Sequence, residues 1–412
     1  MSAAPFDINT LLRADLPPAS AKWTGFPKYN FVGGHNDLDS VPVEGLMAAA
    51  TRVLKRDGKT LALYGMESGP LGYRPLREFV AGQLGKDAGI DCSPDEVLIT
   101  SGSLLGLDFV NAALVAPGDT VIMEQMTYGG AITRVKRLGA NIVGVPVDDD
   151  GLSSYELRRA LEELRGKGIR PKYIYTIPSV QNPTATIMSG ARRAEILALS
   201  VEYGVPIFED ECYSDLIWDG KRPRAMRAMD HDDRVIHIGS FSKSIAPALR
   251  VGYLVTGWPL MSRILGIKND GGSGAIDQMV LAEFCRESFD THVISLRKAL
   301  RRKVEVLMDS LRTEFGAAAE FDDPAGGIFL WVKFPASIDT TRLAQAALPA
   351  GIAVNPGAEW MTEAVLGQRY VRICFAQPSE AVIREGIAKL AEVCRREFGV
   401  PVGAAKAQGY AK

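Results

Sequence analysis

Gly239-Ser240-Phe241-Ser242-Lys243-Ser244-Ile245-Ala246-Pro247-Ala248-Leu249-Arg250-Val251-Gly252 follows a short apolar stretch, Val235 to Ile238, and offers one lysine among small hydroxyls. Lysine forms Schiff bases with carbonyls once burial or a neighbouring cation depresses its ammonium. Small hydroxyls plus an arginine fork are what a phosphate monoester needs, so Ser240, Ser242 and Arg250 complement Lys243. An aldehyde that carries a phosphate satisfies both halves of the segment. Pyridoxal 5′-phosphate is the common cofactor of that description.

A lone Ser-x-Lys is ordinarily a polar loop with a surface lysine, but this match is longer. Phe241-Ser242-Lys243 followed by Pro247-Ala248-Leu249-Arg250-Val251-Gly252-Tyr253 resembles the lysine segment of class I/II aminotransferases, the fold-type I pyridoxal-phosphate enzymes. The 2-aminoadipate and kynurenine aminotransferase type is the nearest subgroup in appearance, together with the aminotransferase-like half of certain bacterial regulators. The resemblance spans roughly Tyr29 to Phe398 and makes demands on other positions.

Composition narrows the partners. The 412 residues exceed one small core and fit a large and a smaller domain. Hydrophobic content of 47% with 23% charged residues is that of a globular protein. Lys+Arg of 47 against Asp+Glu of 49 leaves a net charge of -2, so no global field points to nucleic acid or membrane. Cys92, Cys212, Cys285, Cys374 and Cys394 are scattered without metal-type spacing and read as reduced core thiols; no metal site is expected. With no signal-like start and no long apolar span, a cytoplasmic location is expected.

The chain in order supplies the other candidates. Residues 1 to 28, interrupted by Pro17, Pro18 and Pro27, read as an N-terminal arm. Tyr29 to Val32 leads into Gly33-Gly34-His35, a turn that can let backbone approach a ligand. In the resembling enzymes that turn borders the substrate, which makes Gly34 and His35 candidate substrate contacts. Tyr64 before Gly65 resembles the family tyrosine that reaches the cofactor phosphate of the other subunit, which implies a homodimer with active sites at its interface.

Val97 to Thr100, Ser101-Gly102-Ser103 and Leu104 to Leu114 read as strand, turn and helix. Such a helix start gathers free N–H groups at the positive end of the dipole, which suits a phosphate, although a plain N-cap needs the same residues. The resemblance makes Ser103 and Leu104 cofactor contacts, Leu104 through its backbone where relatives often have glutamine. Tyr128 then corresponds to the aromatic residue lying against the pyridine ring. In Gln181-Asn182-Pro183-Thr184-Ala185, Asn182 corresponds to the asparagine that donates to the phenolic oxygen, and Ala185 replaces the usual glycine.

Pro206 to Glu209 is a strand ending in Asp210, where open α/β sheets bind ligands. An ionised Asp210 beside the pyridine nitrogen would keep that nitrogen protonated and make the ring an electron sink. Tyr213 would share the phenolic oxygen with Asn182. Arg372 lies inside the apolar strand Tyr370 to Phe375; a buried guanidinium needs an anionic partner, either a structural carboxylate or a ligand. The resemblance makes that ligand the substrate α-carboxylate.

The expected architecture is α/β: a fold-type I transferase with a central, mostly parallel sheet between helices and a smaller C-terminal α+β domain. The expected divisions are an arm and substrate-side segment at 1–45, a large cofactor-binding domain at 46–285, a small domain at 286–399 and a tail at 400–412. The expected function is pyridoxal-phosphate-dependent transfer of an amino group between an α-amino acid and a 2-oxo acid. A lyase or cyclase of the 1-aminocyclopropane-1-carboxylate synthase kind is the alternative, since the departures at His35, Leu104 and Ala185 bear on pocket shape. A non-catalytic sensor is the remote one: no basic recognition helix is visible, and the arm is too short for a DNA-binding domain.

Overall fold

The structure is a computed structural model that describes residues 6–13, 16, 19–20 and 22–401. Pro17, Pro18 and positions 402–412 of the expected tail lie outside the described residues.

From the N-terminus the elements are β1 (Tyr29–Asn30), α1 (Val43–Asp57), α2 (Arg74–Ala88), β2 (Val97–Thr100), α3 (Ser103–Leu114), β3 (Thr120–Glu124) and α4 (Gly129–Arg137). Next come β4 (Asn141–Val145), the hairpin β5 (Val147–Asp148) and β6 (Gly151–Leu152), α5 (Ser154–Gly166), β7 (Ile174–Thr176), α6 (Gly190–Tyr203) and β8 (Ile207–Asp210). Then follow β9 (Val235–Ser240), β10 (Gly252–Val255), α7 (Trp258–Ile267), α8 (Ala275–Phe315), β11 (Phe329–Lys333) and α9 (Thr340–Ala347). The chain closes with β12 (Ile352–Ala353), β13 (Asn355–Pro356), β14 (Tyr370–Cys374) and α10 (Glu380–Phe398).

Seven strands form one sheet in the order β2-β10-β9-β8-β7-β3-β4. Five of them pair in parallel from β4 through β9, and β10 runs antiparallel to both of its neighbours. Strands β2, β3, β7, β8 and β9 are buried at every position, as expected of short apolar runs covered by helices on both faces. The parallel strands end together, so Glu124, Thr176, Asp210 and Ser240 finish at one edge of the sheet. Ligands of open α/β sheets bind outside that edge.

A smaller antiparallel sheet, β11-β14-β13, is built from the C-terminal part. The N-terminal strand joins this part, because β1 pairs in parallel with β12 and Cys374 N donates to Phe31 O at 2.9 Å. Tyr29 and Phe31 belong to the same apolar cluster as β11 and β14. The 41-residue α8, about 60 Å long at 1.5 Å per residue, connects the two sheets. Met279 to Val293 pack in the cluster that holds α1 and α2, and from Leu296 onward the buried positions face the C-terminal cluster. Lys303 on α8 donates to Asp37 Oδ1 and to Ala376 O, each at 2.6 Å, tying both chain ends to the helix.

Gly72 at φ +99° turns the chain, and Pro75 in the first turn of α2 fixes the start at Arg74. Among the described residues no helix is long and apolar enough to cross a membrane.

Candidate active site

A cavity of about 540 Å³ opens at the carboxyl edge of the seven-stranded sheet, bounded by α3, α4, the Gly33-Gly34 turn and the segment from Asn355 to Trp360. Lys243 rises into it from the loop after β9 and donates from Nζ to Gly34 O at 2.6 Å. A Cβ on Gly34 would meet that amine, so a side chain there would push the end of the lysine aside. Asn36 Nδ2 donates to the carbonyls of Lys243 and Ile245 at 3.3 and 3.2 Å, fixing the loop from behind. Burial pushes the Lys243 ammonium down to about 8, helped by the charges of Arg372 and Arg250 and opposed by Cys374 and Cys212. The free amine is therefore accessible near neutral pH.

One end of the cavity is built for an anion. Gly102 at φ +78° starts α3, so Ser103 and Leu104 stand in its first turn with unbonded N–H groups. Ser240 and Ser242 line the same end. Arg250 takes the left-handed conformation at φ +53° and donates to Pro247 O at 3.1 Å and Ser101 O at 3.4 Å. Its guanidinium lies against Gly102, where a Cβ would clash with it. No carboxylate of the described residues pairs with Arg250.

The middle of the cavity holds Asp210, Asn182, Tyr213 and Tyr128. Asp210 Oδ2 accepts from Tyr175 OH at 2.7 Å, and Oδ1 accepts from Cys212 N at 3.2 Å. Burial raises the Asp210 pKa in spite of these bonds, so a cationic N–H placed against it would be strongly favoured. Asn182 Nδ2 donates to Tyr213 OH at 3.3 Å. Tyr128 caps the start of α4, its ring 6.0 Å from that of Trp360.

At the far end, Arg372 is 3% exposed. It donates to Gly33 O at 2.7 Å, Asn355 Oδ1 at 3.0 Å and Asn182 Oδ1 at 3.3 Å, and lies 3.7 Å from the centre of the Trp360 ring. Its Nε has no partner, and no carboxylate among the described residues pairs with it. Of the two partners the sequence left open, the structural carboxylate is absent among the described residues. A buried guanidinium satisfied only by neutral groups is a waiting site for a carboxylate.

The match to known families fits this geometry: the family model of aminotransferase class I and II aligns with residues 28–390. The chain belongs to that family. The multiple substrate aminotransferase of Thermococcus profundus superposes with a TM-score of 0.87 at 28% identity, covering 96% of this chain and 100% of that one. LysN, the alpha-aminoadipate aminotransferase of Thermus thermophilus, solved with N-(5′-phosphopyridoxyl)-L-leucine, superposes with a TM-score of 0.81 at 29% identity, covering 90% of this chain and 93% of that one. The uncharacterized HTH-type transcriptional regulator YisV of Bacillus subtilis is 32% identical over 330 residues, 79% of this chain and 66% of its own length. As an aminotransferase of this class, the chain is a pyridoxal 5′-phosphate-dependent enzyme, and the family reaction is transamination between an amino acid and an oxo acid.

The residues present fit that cofactor. An amine shifted toward neutrality, a carboxyl that gains from a cation, and a helix start beside an unpaired arginine match its aldehyde, pyridine nitrogen and phosphate. Of the sequence candidates, Gly34, Ser103, Leu104, Tyr128, Asn182, Asp210, Tyr213, Ser240, Ser242, Lys243, Arg250 and Arg372 all line the one cavity. Two do not. His35 turns back across Gly33, its ring edge-on to Phe26 at 5.0 Å, because the two glycines present backbone to the cavity. It stays within electrostatic range of Lys243, whose charge adds to burial in lowering the His35 pKa. Tyr64 is 96% exposed and stands beside Gly271 in a separate depression.

Sequence reading missed Tyr175, Trp360 and Asn355. Tyr175 lies on β7, one strand from Asp210, and only the strand order brings its hydroxyl there. Ala185 takes φ +62°, the conformation that favours glycine, at a cost of about 1 kcal/mol. Its N–H donates to Gln181 O at 2.6 Å, which closes the turn behind Asn182.

Proposed function

We propose that the chain carries out transamination with Lys243 as proton carrier, Asp210 as counter-charge and Arg372 as carboxylate anchor. The observation that carries this reading is that a buried amine of depressed pKa, a buried carboxyl and an unpaired buried guanidinium share one cavity. When bound, the cofactor supplies a carbonyl for the amine and a cationic ring that accepts electron density from the substrate Cα.

Ser103 and Leu104 through their N–H groups, Ser240, Ser242 and Arg250 would hold its phosphate. Tyr128 would lie against the ring, while Asn182 and Tyr213 would donate to the phenolic oxygen. Asp210, steadied by Tyr175, would hold the ring N–H. Arg372 would grip the α-carboxylate with a geometry prepaid by Asn355, Asn182, Gly33 O and the Trp360 face, setting the Cα–H bond toward Lys243. The Lys243 amine would hold the proton taken from Cα and deliver it to the carbon that had been the cofactor's carbonyl, on the far side of the transferred nitrogen.

The deciding experiment mixes the pyridoxal-phosphate-loaded protein with single amino acids. Loss of the yellow band with one oxo acid released per cofactor supports transamination. Ammonia, carbon dioxide or a cyclised product would replace that reading by a lyase or cyclase one. No product at all would favour the second reading that the likeness to the regulator YisV suggests, binding without turnover.

The chain would act as a cytoplasmic homodimer in which Tyr64 serves the partner's phosphate end. Supporting this are the exposed apolar side chains Leu61 and Leu63, which line the same depression as Tyr64. Light scattering that returns a monomer mass would remove the dimer and Tyr64's role with it.

A further inference from the structure

Glu124, the last residue of β3, is fully buried and does not line the cavity. Its Oε1 accepts from Thr176 Oγ1 at 2.5 Å and Ile177 N at 3.0 Å. Its Oε2 accepts from Gln181 Nε2 at 2.9 Å and Thr127 Oγ1 at 3.3 Å. All four donors are neutral, and no lysine, arginine or histidine of the described residues pairs with this carboxylate. Burial pushes the acid up to about 7 against those four bonds. A buried acid without a cation is a costly way to fill space.

What the carboxylate joins gives it a use. Thr176, Ile177 and Gln181 belong to the segment that ends in Asn182; Thr127 immediately precedes Tyr128. Gln181 extends the link, donating also to Met126 O at 2.6 Å and accepting through Oε1 from Thr184 N and Thr184 Oγ1 at 2.9 and 2.8 Å. Its amide is thereby satisfied at both ends, and its own N–H donates to Thr186 O at 2.9 Å. One carboxylate therefore clamps together the two chain segments that carry the ring-stacking tyrosine and the phenol-facing asparagine.

We propose that Glu124 is a positioning residue for the cofactor: through Thr127 and Gln181 it fixes Tyr128 and Asn182 relative to each other. The inference rests on the roles given to those two residues under the proposed function. Hydrogen bonds between neutral donors and a buried carboxylate set distances sharply, which a pair of apolar side chains would not.

Two variants test it. In Glu124→Gln one of the two accepting oxygens becomes an NH2, which meets either Gln181 Nε2 or Ile177 N donor against donor, so one side of the clamp opens while volume and most packing are kept. Gln181→Met removes the same link from the other side and leaves Glu124 three donors. For each, thermal unfolding of the cofactor-free protein, pyridoxal-phosphate half-saturation, and visible circular dichroism at saturating cofactor are measured; the last reports how rigidly the ring is held. Both variants are expected to stay folded, to need about tenfold more cofactor for half-saturation, and to show a weaker dichroic band per bound cofactor.

Wild-type dichroism and half-saturation in Gln181→Met would overturn the inference, as would a lowered melting temperature with unchanged dichroism, the signature of a structural role alone. Should Glu124→Gln fail to fold, Gln181→Met decides. Asn182→Ala is the control. If it alters the dichroism and the two clamp variants do not, only this inference falls. If Asn182→Ala also leaves the dichroism unchanged, the assigned role of Asn182 falls first.

Discussion

Arg250 and Arg372 face the same cavity and are held in opposite ways. Arg250 is exposed, takes a left-handed backbone conformation and spends its donors on two carbonyls of neighbouring loops. Arg372 is buried in the middle of a strand, its planar group resting on Trp360 and its donors aimed by two asparagines and Gly33 O. An exposed cation in a cup of N–H and hydroxyl groups contributes one part of a shared grip. A desolvated guanidinium with an unpaired Nε carries most of a recognition by itself. The same residue type should thus be far more costly to lose at one end than at the other.

Arg372→Ala tests that most severely. It should lower kcat/KM for the amino acid by about 3 kcal/mol, on the order of a hundredfold, with cofactor affinity nearly unchanged. A loss of cofactor affinity instead would mean that the two ends had been assigned the wrong way round. Arg250→Ala should weaken cofactor binding by about tenfold, and the difference from wild type should shrink at high salt because the charge is exposed. An equal loss at all ionic strengths would make Arg250 a structural anchor of the loop.

Trp360→Leu removes the face under the guanidinium and should raise the amino-acid KM by about fivefold, roughly 1 kcal/mol. Unchanged KM would assign the fixing of Arg372 to its hydrogen bonds alone. The smallest effect concerns the lysine between them. The unprotonated amine is the form that captures an aldehyde, so the rate at which cofactor-free protein takes up pyridoxal phosphate should rise with pH through a midpoint near 8. Both arginines lower that midpoint, Arg372 more than Arg250. Arg372→Met should raise it and Arg250→Met should raise it less, the direction expected on removing a nearby like charge; the reverse order would show that exposure does not weaken the Arg250 charge.

The same contrast explains what could be read from the chain in one dimension. The lysine segment carries its chemistry locally, with hydroxyls, glycine and Arg250 all within a few residues of Lys243, so the pattern announces the cofactor. Asp210 was legible because it ends an apolar strand, a place whose meaning follows from sheet topology. Arg372 was visible as a charge in an apolar run, but not the residues that hold it. Asn355 and Trp360 precede it by no helical or strand period, and the Arg372 pairing with Asn355 across β13 and β14 exists only once the small sheet forms. Tyr175 reads as one more core aromatic until β7 and β8 lie side by side. His35 lies off the cavity for a local reason: with two glycines before it, backbone faces the cavity and the ring swings out to Phe26.

The bond from Arg372 to Gly33 O joins positions 339 apart in the chain. During synthesis the N-terminal strand must wait, unpaired, until β12 and β14 have left the ribosome. The seven-stranded sheet can form earlier, from residues 97–255, but the seat of Arg372 is finished last, by closing almost the whole chain into a loop. A nascent chain stalled before position 372 should therefore discriminate no substrate, however well its larger sheet has folded.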